Sequence, residues 1–123
     1  MRALIVDDSR TMRMILKKQL TQLGFAEVFE AGDGIEALGV LDGIAAPDVV
    51  LVDWNMPNMT GIDLVTAVRK NAAWNAMKVV MVTTASDLVH VQAALGQGAN
   101  EYVLKPFTPQ MLSEKLTMIG VAA

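Results

Sequence analysis

Four short runs of the chain are almost wholly apolar: residues 3–6 (Ala-Leu-Ile-Val), 49–52 (Val-Val-Leu-Val), 79–82 (Val-Val-Met-Val) and 102–104 (Tyr-Val-Leu). None shows the apolar–polar alternation of a strand with one face in water. Unbroken apolar runs of this length suit parallel strands covered on both faces. A further run, residues 27–30 (Glu-Val-Phe-Glu), is flanked by charge and predicts an edge strand.

The segments between these runs carry helical spacing. Met12, Ile15, Leu16, Leu20 and Leu23 form one stripe. Leu64, Val65 and Val68 form another, as do Leu88, Val91 and Leu95, and Leu112, Leu116 and Ile119 close the series. Segment 34–43 predicts a weaker helix, broken by Gly39. Ser86 is placed to cap the fourth helix, and Thr108 the fifth, with Pro109 at its first position. Strand and helix thus alternate five times, which predicts an α/β fold: a doubly wound, five-stranded parallel sheet with five helices and right-handed crossovers. No linker, repeat or low-complexity segment interrupts the pattern, so one domain over residues 1–123 is expected, with no output domain attached.

Composition narrows the function classes. A chain of 123 residues, 53% hydrophobic and 19% charged, has material for one packed core. The net charge of -3 gives no clustered basic footprint, so no nucleic-acid partner is expected. The absence of cysteine excludes disulfides and thiolate metal sites. Met1-Arg2 leads straight into a strand without a signal peptide, and no apolar run approaches membrane-spanning length. A cytoplasmic protein without a membrane partner is the expectation.

The candidate chemistry lies at the strand ends. Asp7 and Asp8 end the first strand, Asp53 the third, Thr83 the fourth and Lys105 the fifth. Open α/β sheets bind ligands outside the carboxyl ends of their strands. Any one of these acids reads equally well as a helix cap or a solvated strand end. The whole set in register on one edge does not. Two carboxylates about 4 Å apart repel by roughly 4 kcal/mol at an effective dielectric of 20. One ammonium does not neutralise three such groups, whereas a hard cation with oxygen ligands does, and Mg²⁺ takes one or two carboxylates plus waters and phosphate oxygens. A carboxylate beside such a cation and a lysine has the chemistry of a phosphoryl acceptor.

Three stretches then make the pattern specific: residues 6–13 (Val-Asp-Asp-Ser-Arg-Thr-Met-Arg), 53–61 (Asp-Trp-Asn-Met-Pro-Asn-Met-Thr-Gly), and Val82-Thr83 with Lys105-Pro106-Phe107. In order and spacing they resemble the signature of response-regulator receiver domains, the CheY-like, chemotaxis-type members above all. The resemblance implies the flavodoxin-like strand order 2-1-3-4-5. It implies that Asp53 is the phosphoacceptor, with Lys105 and Thr83 contacting the phosphoryl group. It implies Mg²⁺, with Mn²⁺ as a substitute, bound by Asp8, Asp53 and the backbone carbonyl of Asn55, and by Asp7 through water. Thr83 and Tyr102 would form the moving pair of the switch. The implied role is a two-component signalling receiver, not an enzyme, whose chemistry is limited to self-phosphorylation from a phosphodonor and autodephosphorylation. Its implied partners are a sensor histidine kinase or histidine phosphotransfer protein and a downstream target protein. The target would dock on the face of the fourth helix, fifth strand and fifth helix, around Ser86, Asp87, His90, Tyr102 and Lys115. A cis Lys105–Pro106 peptide is also expected.

The chain departs from the family at Thr60, where an acid often precedes the glycine, and at Ala85, where chemotaxis-type members carry glutamate. Asp87-Leu88 replaces a pair of lysines. Two other functions share the architecture. A flavodoxin-like electron carrier would need a first loop rich in Ser, Thr and Gly, where Asp7-Asp8 stands. An aspartyl-phosphate phosphatase would place a second Asp where Asn55 stands. His90, the single histidine, reads as a surface residue away from the acidic edge, and Trp74 as a partly exposed loop residue. Gly32-Asp33-Gly34 and Gly96-Gln97-Gly98 read as turns or helix ends rather than phosphate loops, and most of the nine methionines as core filler.

Overall fold

Ten elements alternate along the chain in a computed structural model that describes residues 1–54 and 56–121. They are β1 (Arg2–Val6), α1 (Arg10–Gln22), β2 (Glu27–Ala31), α2 (Gly34–Gly43), β3 (Val49–Asp53), α3 (Gly61–Arg69), β4 (Lys78–Thr84), α4 (Leu88–Gly96), β5 (Glu101–Lys105) and α5 (Pro109–Met118). All strand pairs are parallel, in the order β2-β1-β3-β4-β5. The charged run 27–30 is indeed an edge strand, with Glu27 exposed.

Side-chain alternation along the buried strands divides the core into two layers. Ala3, Ile5, Val49, Leu51, Val80, Val82 and Val103 pack with Leu16 and Leu20 of α1 and Leu112 and Leu116 of α5. Leu4, Val6, Val50, Val52, Val79 and Met81 pack with Ala37 and Leu41 of α2, Leu64, Val65 and Val68 of α3, and Ala94 of α4. Leu4, Ile5, Leu51, Leu64 and Leu112 are all no more than 1% exposed. Full burial of such a side chain stabilises by about 1.5–3 kcal/mol. These layers fix the register, because a one-residue slip would send each strand's apolar set to the wrong face.

Four helices start on side-chain caps. Ser9, Asp33, Thr60 and Thr108 accept hydrogen bonds from the backbone N–H of Met12, Glu36, Asp63 and Met111. Each such cap contributes about 1 kcal/mol. Thr60, the departure from the family's acid, is therefore the cap of α3. Pro109 stands in the first turn of α5, and the Lys105–Pro106 peptide is cis, both as expected.

Most of the nine methionines are not buried core filler: Met56, Met77 and Met81 are buried, while Met1, Met14, Met111 and Met118 are exposed, at the first residue and on helices whose inward faces are filled by leucine. Three further expectations need correction. Ser86 does not cap α4: a turn of 3-10 helix, Ala85–Asp87, precedes it, and no side chain caps it. The Ser86 hydroxyl instead lies 2.9 Å from that of Thr84, which donates to Asp87 Oδ2 at 3.1 Å. Gly39 does not break α2, because Ala37 and Leu41 are buried on either side of it and outweigh its cost of about 1 kcal/mol. Trp74 is buried, not partly exposed. The Asn71 side chain accepts from Ala73 N–H and winds Ala72–Trp74 into a 3-10 turn that drives the indole into the core.

Candidate functional site: an acidic pocket at the strand ends

The same alternation builds the site. Asp7, Asp53 and Lys105 each stand two residues beyond a buried strand residue of the α1/α5 layer, namely Ile5, Leu51 and Val103. They therefore continue one face of the sheet past its carboxyl edge. Asp8 follows outside the strand and is exposed. Carboxylate oxygens of Asp7, Asp8 and Asp53 all lie within 4.8 Å of one another. Lys105 Nζ is 3.4 Å from Asp53 Oδ1, to which it donates, and 3.6 Å from Asp7 Oδ2.

Asp7 is held from three sides. Its N–H donates to the Ala31 carbonyl, its Oδ1 accepts from Ser9 N–H at 2.8 Å, and its carbonyl accepts from Arg13 Nη1 at 2.6 Å. Arg13 is tied in turn to Glu30, at 3.3 Å. Its anchoring role was not legible in the sequence, because its partners lie on β1 and β2. Next to Asp53, Trp54 N–H donates to the Val82 carbonyl and Gly61 N–H donates to the Trp54 carbonyl. Gly61 has to be glycine: a Cβ there would lie 2.7 Å from Met81 Cε and 3.0 Å from the Asp53 carbonyl oxygen. Asn58, at φ 67°, reaches across to Asp33 Oδ2 at 3.0 Å and ties the loop after β3 to the cap of α2.

Burial pushes the Asp53 carboxyl above its ordinary value. Lys105 opposes the shift, while the charges of Asp7 and, to a smaller extent, Asp8 reinforce it. Asp7 Oδ2 is buried without a hydrogen-bond partner among the described residues, since Lys105 stands just out of reach. Three carboxylates thus face one ammonium, with a buried oxygen left free. This donor set, all oxygen and net negative, fits a hard divalent cation.

Thr83 and Tyr102 continue the other layer. Thr83 is 2% exposed, and its hydroxyl has no partner among the described residues. Tyr102 is half-buried, with Lys115 Nζ 4.6 Å from its ring centre. The expected carbonyl ligand Asn55 lies outside the described residues. His90 is exposed, but it is not remote from the site: its ring stacks on Trp54, with centroids 4.2 Å apart and planes 10° apart.

An acidic pocket at the carboxyl edge of a 2-1-3-4-5 parallel sheet, with a lysine from the last strand, defines a class of phosphorylation-switched signalling domain. A sequence profile of the response regulator receiver domain matches residues 3–117, and the chain belongs to that family. It is 46% identical over 119 residues to the chemotaxis protein CheY1 of Helicobacter pylori, covering 97% of this chain and 96% of that protein. It is 47% identical over 116 residues to a chemotaxis protein CheY homolog of Campylobacter jejuni, covering 94% and 89%. Among solved structures it superposes on the chemotaxis protein CheY4 of Vibrio cholerae with a TM-score of 0.87 at 35% identity, covering 96% of this chain and 97% of that one.

Proposed function

We propose that residues 1–123 form one receiver domain that takes a phosphoryl group onto Asp53 and serves a chemotaxis-type two-component pathway. The convergence of Asp7, Asp8 and Asp53 within 4.8 Å, with Lys105 Nζ against two of them, carries this reading. A carboxylate oxygen of Asp53 attacks phosphorus on a donor phosphohistidine. The P–N bond breaks, and its electron pair leaves with the imidazole, which takes up a proton. Lys105 balances charge on the transferred group. Water attacking the same phosphorus later regenerates the Asp53 carboxylate and releases inorganic phosphate. Asp8, Asp53 and the Asn55 carbonyl, with Asp7 through water, would hold Mg²⁺, or Mn²⁺ in its place. Such a cation supplies charge neutralisation to the transferring phosphoryl group.

Thr83 donates its hydroxyl to the phosphoryl group, and Tyr102 turns inward as Thr83 moves. The buried, unpartnered Thr83 hydroxyl supports this assignment. The donor is a sensor histidine kinase or a histidine phosphotransfer protein, and the setting is the cytoplasm. No helix among the described residues is long and apolar enough to cross a membrane. The target docks on the α4–β5–α5 face, where Tyr102, Leu104, Met111 and Lys115 line a cleft of about 220 Å³. Asp87 makes that face less basic than a lysine would, so a neutral, basic or apolar target suits it better than a strongly acidic one.

Incubation with Mg²⁺ and a small acyl phosphate should add one hydroxylamine-labile phosphoryl group. Labelling that persists in Asp53→Asn would sink the assignment.

A further inference from the structure

Helix α4 is held unevenly. Its buried residues are only Val91 and Ala94, while Leu88, Val89 and Leu95 are 39%, 71% and 38% exposed. The turn that follows its C-terminal end is pinned by Arg69, whose Nε donates to the Gly98 carbonyl and whose Nη2 donates to Asn100 Oδ1, both at 2.9 Å. Gly98 packs so closely on Arg69 that a Cβ would lie 2.6 Å from Cγ. Its N-terminal end has no side-chain cap and joins β4 through the hydroxyl-rich turn at Thr84–Asp87.

One aromatic contact fastens that loose end to the phosphoacceptor strand. His90 is the third residue of α4, and its imidazole lies flat on the indole of Trp54. Trp54 is not free to follow α4, because its backbone is clamped to β4 through Val82 and to α3 through Gly61. Thr84–Asp87 joins Thr83 directly to the first turn of α4, so a shift of Thr83 would act on the turn from which His90 stacks on Trp54.

We propose that the stacked Trp54–His90 pair is a latch that holds α4 in its unphosphorylated position, so that His90 sets the balance between resting and switched arrangements. This rests on the phosphoacceptor reading above. Stacked aromatic pairs are worth enough to change a two-state balance by about two- to tenfold. A donor that reacts with the minor, switched population then reacts faster in proportion when the latch is gone. His90 is here a positioning residue, acting through Trp54 and α4.

The test compares wild type, His90→Ala and His90→Phe for the rate of labelling by a small acyl phosphate at fixed Mg²⁺. His90→Ala should label about two- to tenfold faster, and His90→Phe, which restores a flat ring, should return toward wild type. In unphosphorylated His90→Ala, the amide NMR signals of Thr83 and Tyr102 should move toward the positions that wild type reaches on phosphorylation. Equal rates in wild type and His90→Ala, or unmoved Thr83 and Tyr102 signals, overturn the latch while leaving the phosphoacceptor reading intact. Acceleration in His90→Phe equal to that in His90→Ala overturns the role of stacking. A wild type that never labels overturns the phosphoacceptor reading and the latch together.

Discussion

Replacing Asp53 by asparagine should make the cation-free protein more stable. Asp53 faces Asp7 and Asp8 across distances of up to 4.8 Å. Each pair costs about 3.5 kcal/mol at that separation and an effective dielectric of 20. Lys105 at 3.4 Å returns about 5 kcal/mol on the same scale. The hydrogen bond that Lys105 adds, and the water around the exposed Asp8, tip this balance toward Lys105, so the neighbouring charges do not by themselves destabilise the carboxylate. Burial of the charge is the largest effect and sets the sign, leaving the folded carboxylate disfavoured by on the order of 1 kcal/mol. Asparagine keeps the shape and loses the charge. For a domain of this size a gain of about 1 kcal/mol corresponds to a rise in Tm of roughly 3–6 °C.

The pH dependence has a definite sign. The folded chain holds Asp53 above its ordinary value of 3.8, so it takes up that proton at a higher pH than the unfolded chain does. The stability associated with protonated Asp53 is fully present below 3.8 and is lost as pH rises through the raised folded value. The advantage of Asp53→Asn should therefore be complete at neutral pH and fade on acidification. Saturating Mg²⁺ should reverse the order. Ligand at a hundred times its Kd stabilises the folded state by about 2.7 kcal/mol, and the variant, one carboxylate poorer, gains less. Urea unfolding of both proteins in chelator and in Mg²⁺, at pH 7 and near pH 4, measures all of this. A variant no more stable than wild type in chelator would refute the electrostatic reasoning. An unchanged gap in Mg²⁺ would show that Asp53 takes no part in binding the cation.

Other outcomes follow from the same geometry. In a Trp74→Phe background, Mg²⁺ should change the fluorescence of Trp54, and Asp8→Ala should largely remove the response; a flat titration, with binding shown by calorimetry, would count against a cation beside Asp53. Trp74→Ala should cost about 3–5 kcal/mol as a core truncation, against the roughly 0.5 kcal/mol of a surface site, and urea unfolding separates the two. Gly98→Ala, at φ 118° and against Arg69, should cost about 1–3 kcal/mol; a loss under about 0.5 kcal/mol would mean that the α4–β5 turn yields easily.

The pocket was legible in the sequence because its residues end strands whose burial pattern is itself legible. The runs 3–6 and 49–52 fix which way Asp7 and Asp53 face, and the signature stretches name the set. The features that are not legible there depend on partners distant in sequence. Trp74 lies between Asn71 and Asn75 with no apolar stripe beside it, and only the Asn71 turn, with Arg69 Nη1 holding the Trp74 carbonyl, brings its ring into the core. Ser86 has the chemistry of a cap but finds the Thr84 hydroxyl first. The nearness of His90 to the acidic edge is not legible, because a helix position says nothing of which strand end the helix crosses. Arg13 lies on the first helix like any exposed cation, until β1 and β2 bring the Asp7 carbonyl and Glu30 to it.

The two layers of the core also divide the site. Asp7, Asp53 and Lys105 extend the α1/α5 layer, where Leu16, Leu20, Leu112 and Leu116 are all no more than 2% exposed. Close packing there transmits strain and resists displacement, which suits residues that must hold a fixed charge geometry. Thr83 and Tyr102 extend the other layer, and beside them α4 contributes only Val91 and Ala94 to the interior. An element with little buried apolar surface opens at low free-energy cost. The strands thus place the closely packed chemistry and a thinly packed helix on opposite faces of one sheet. Trp54, fixed by its backbone at the end of β3 and stacked on His90 of α4, is the point where the two meet.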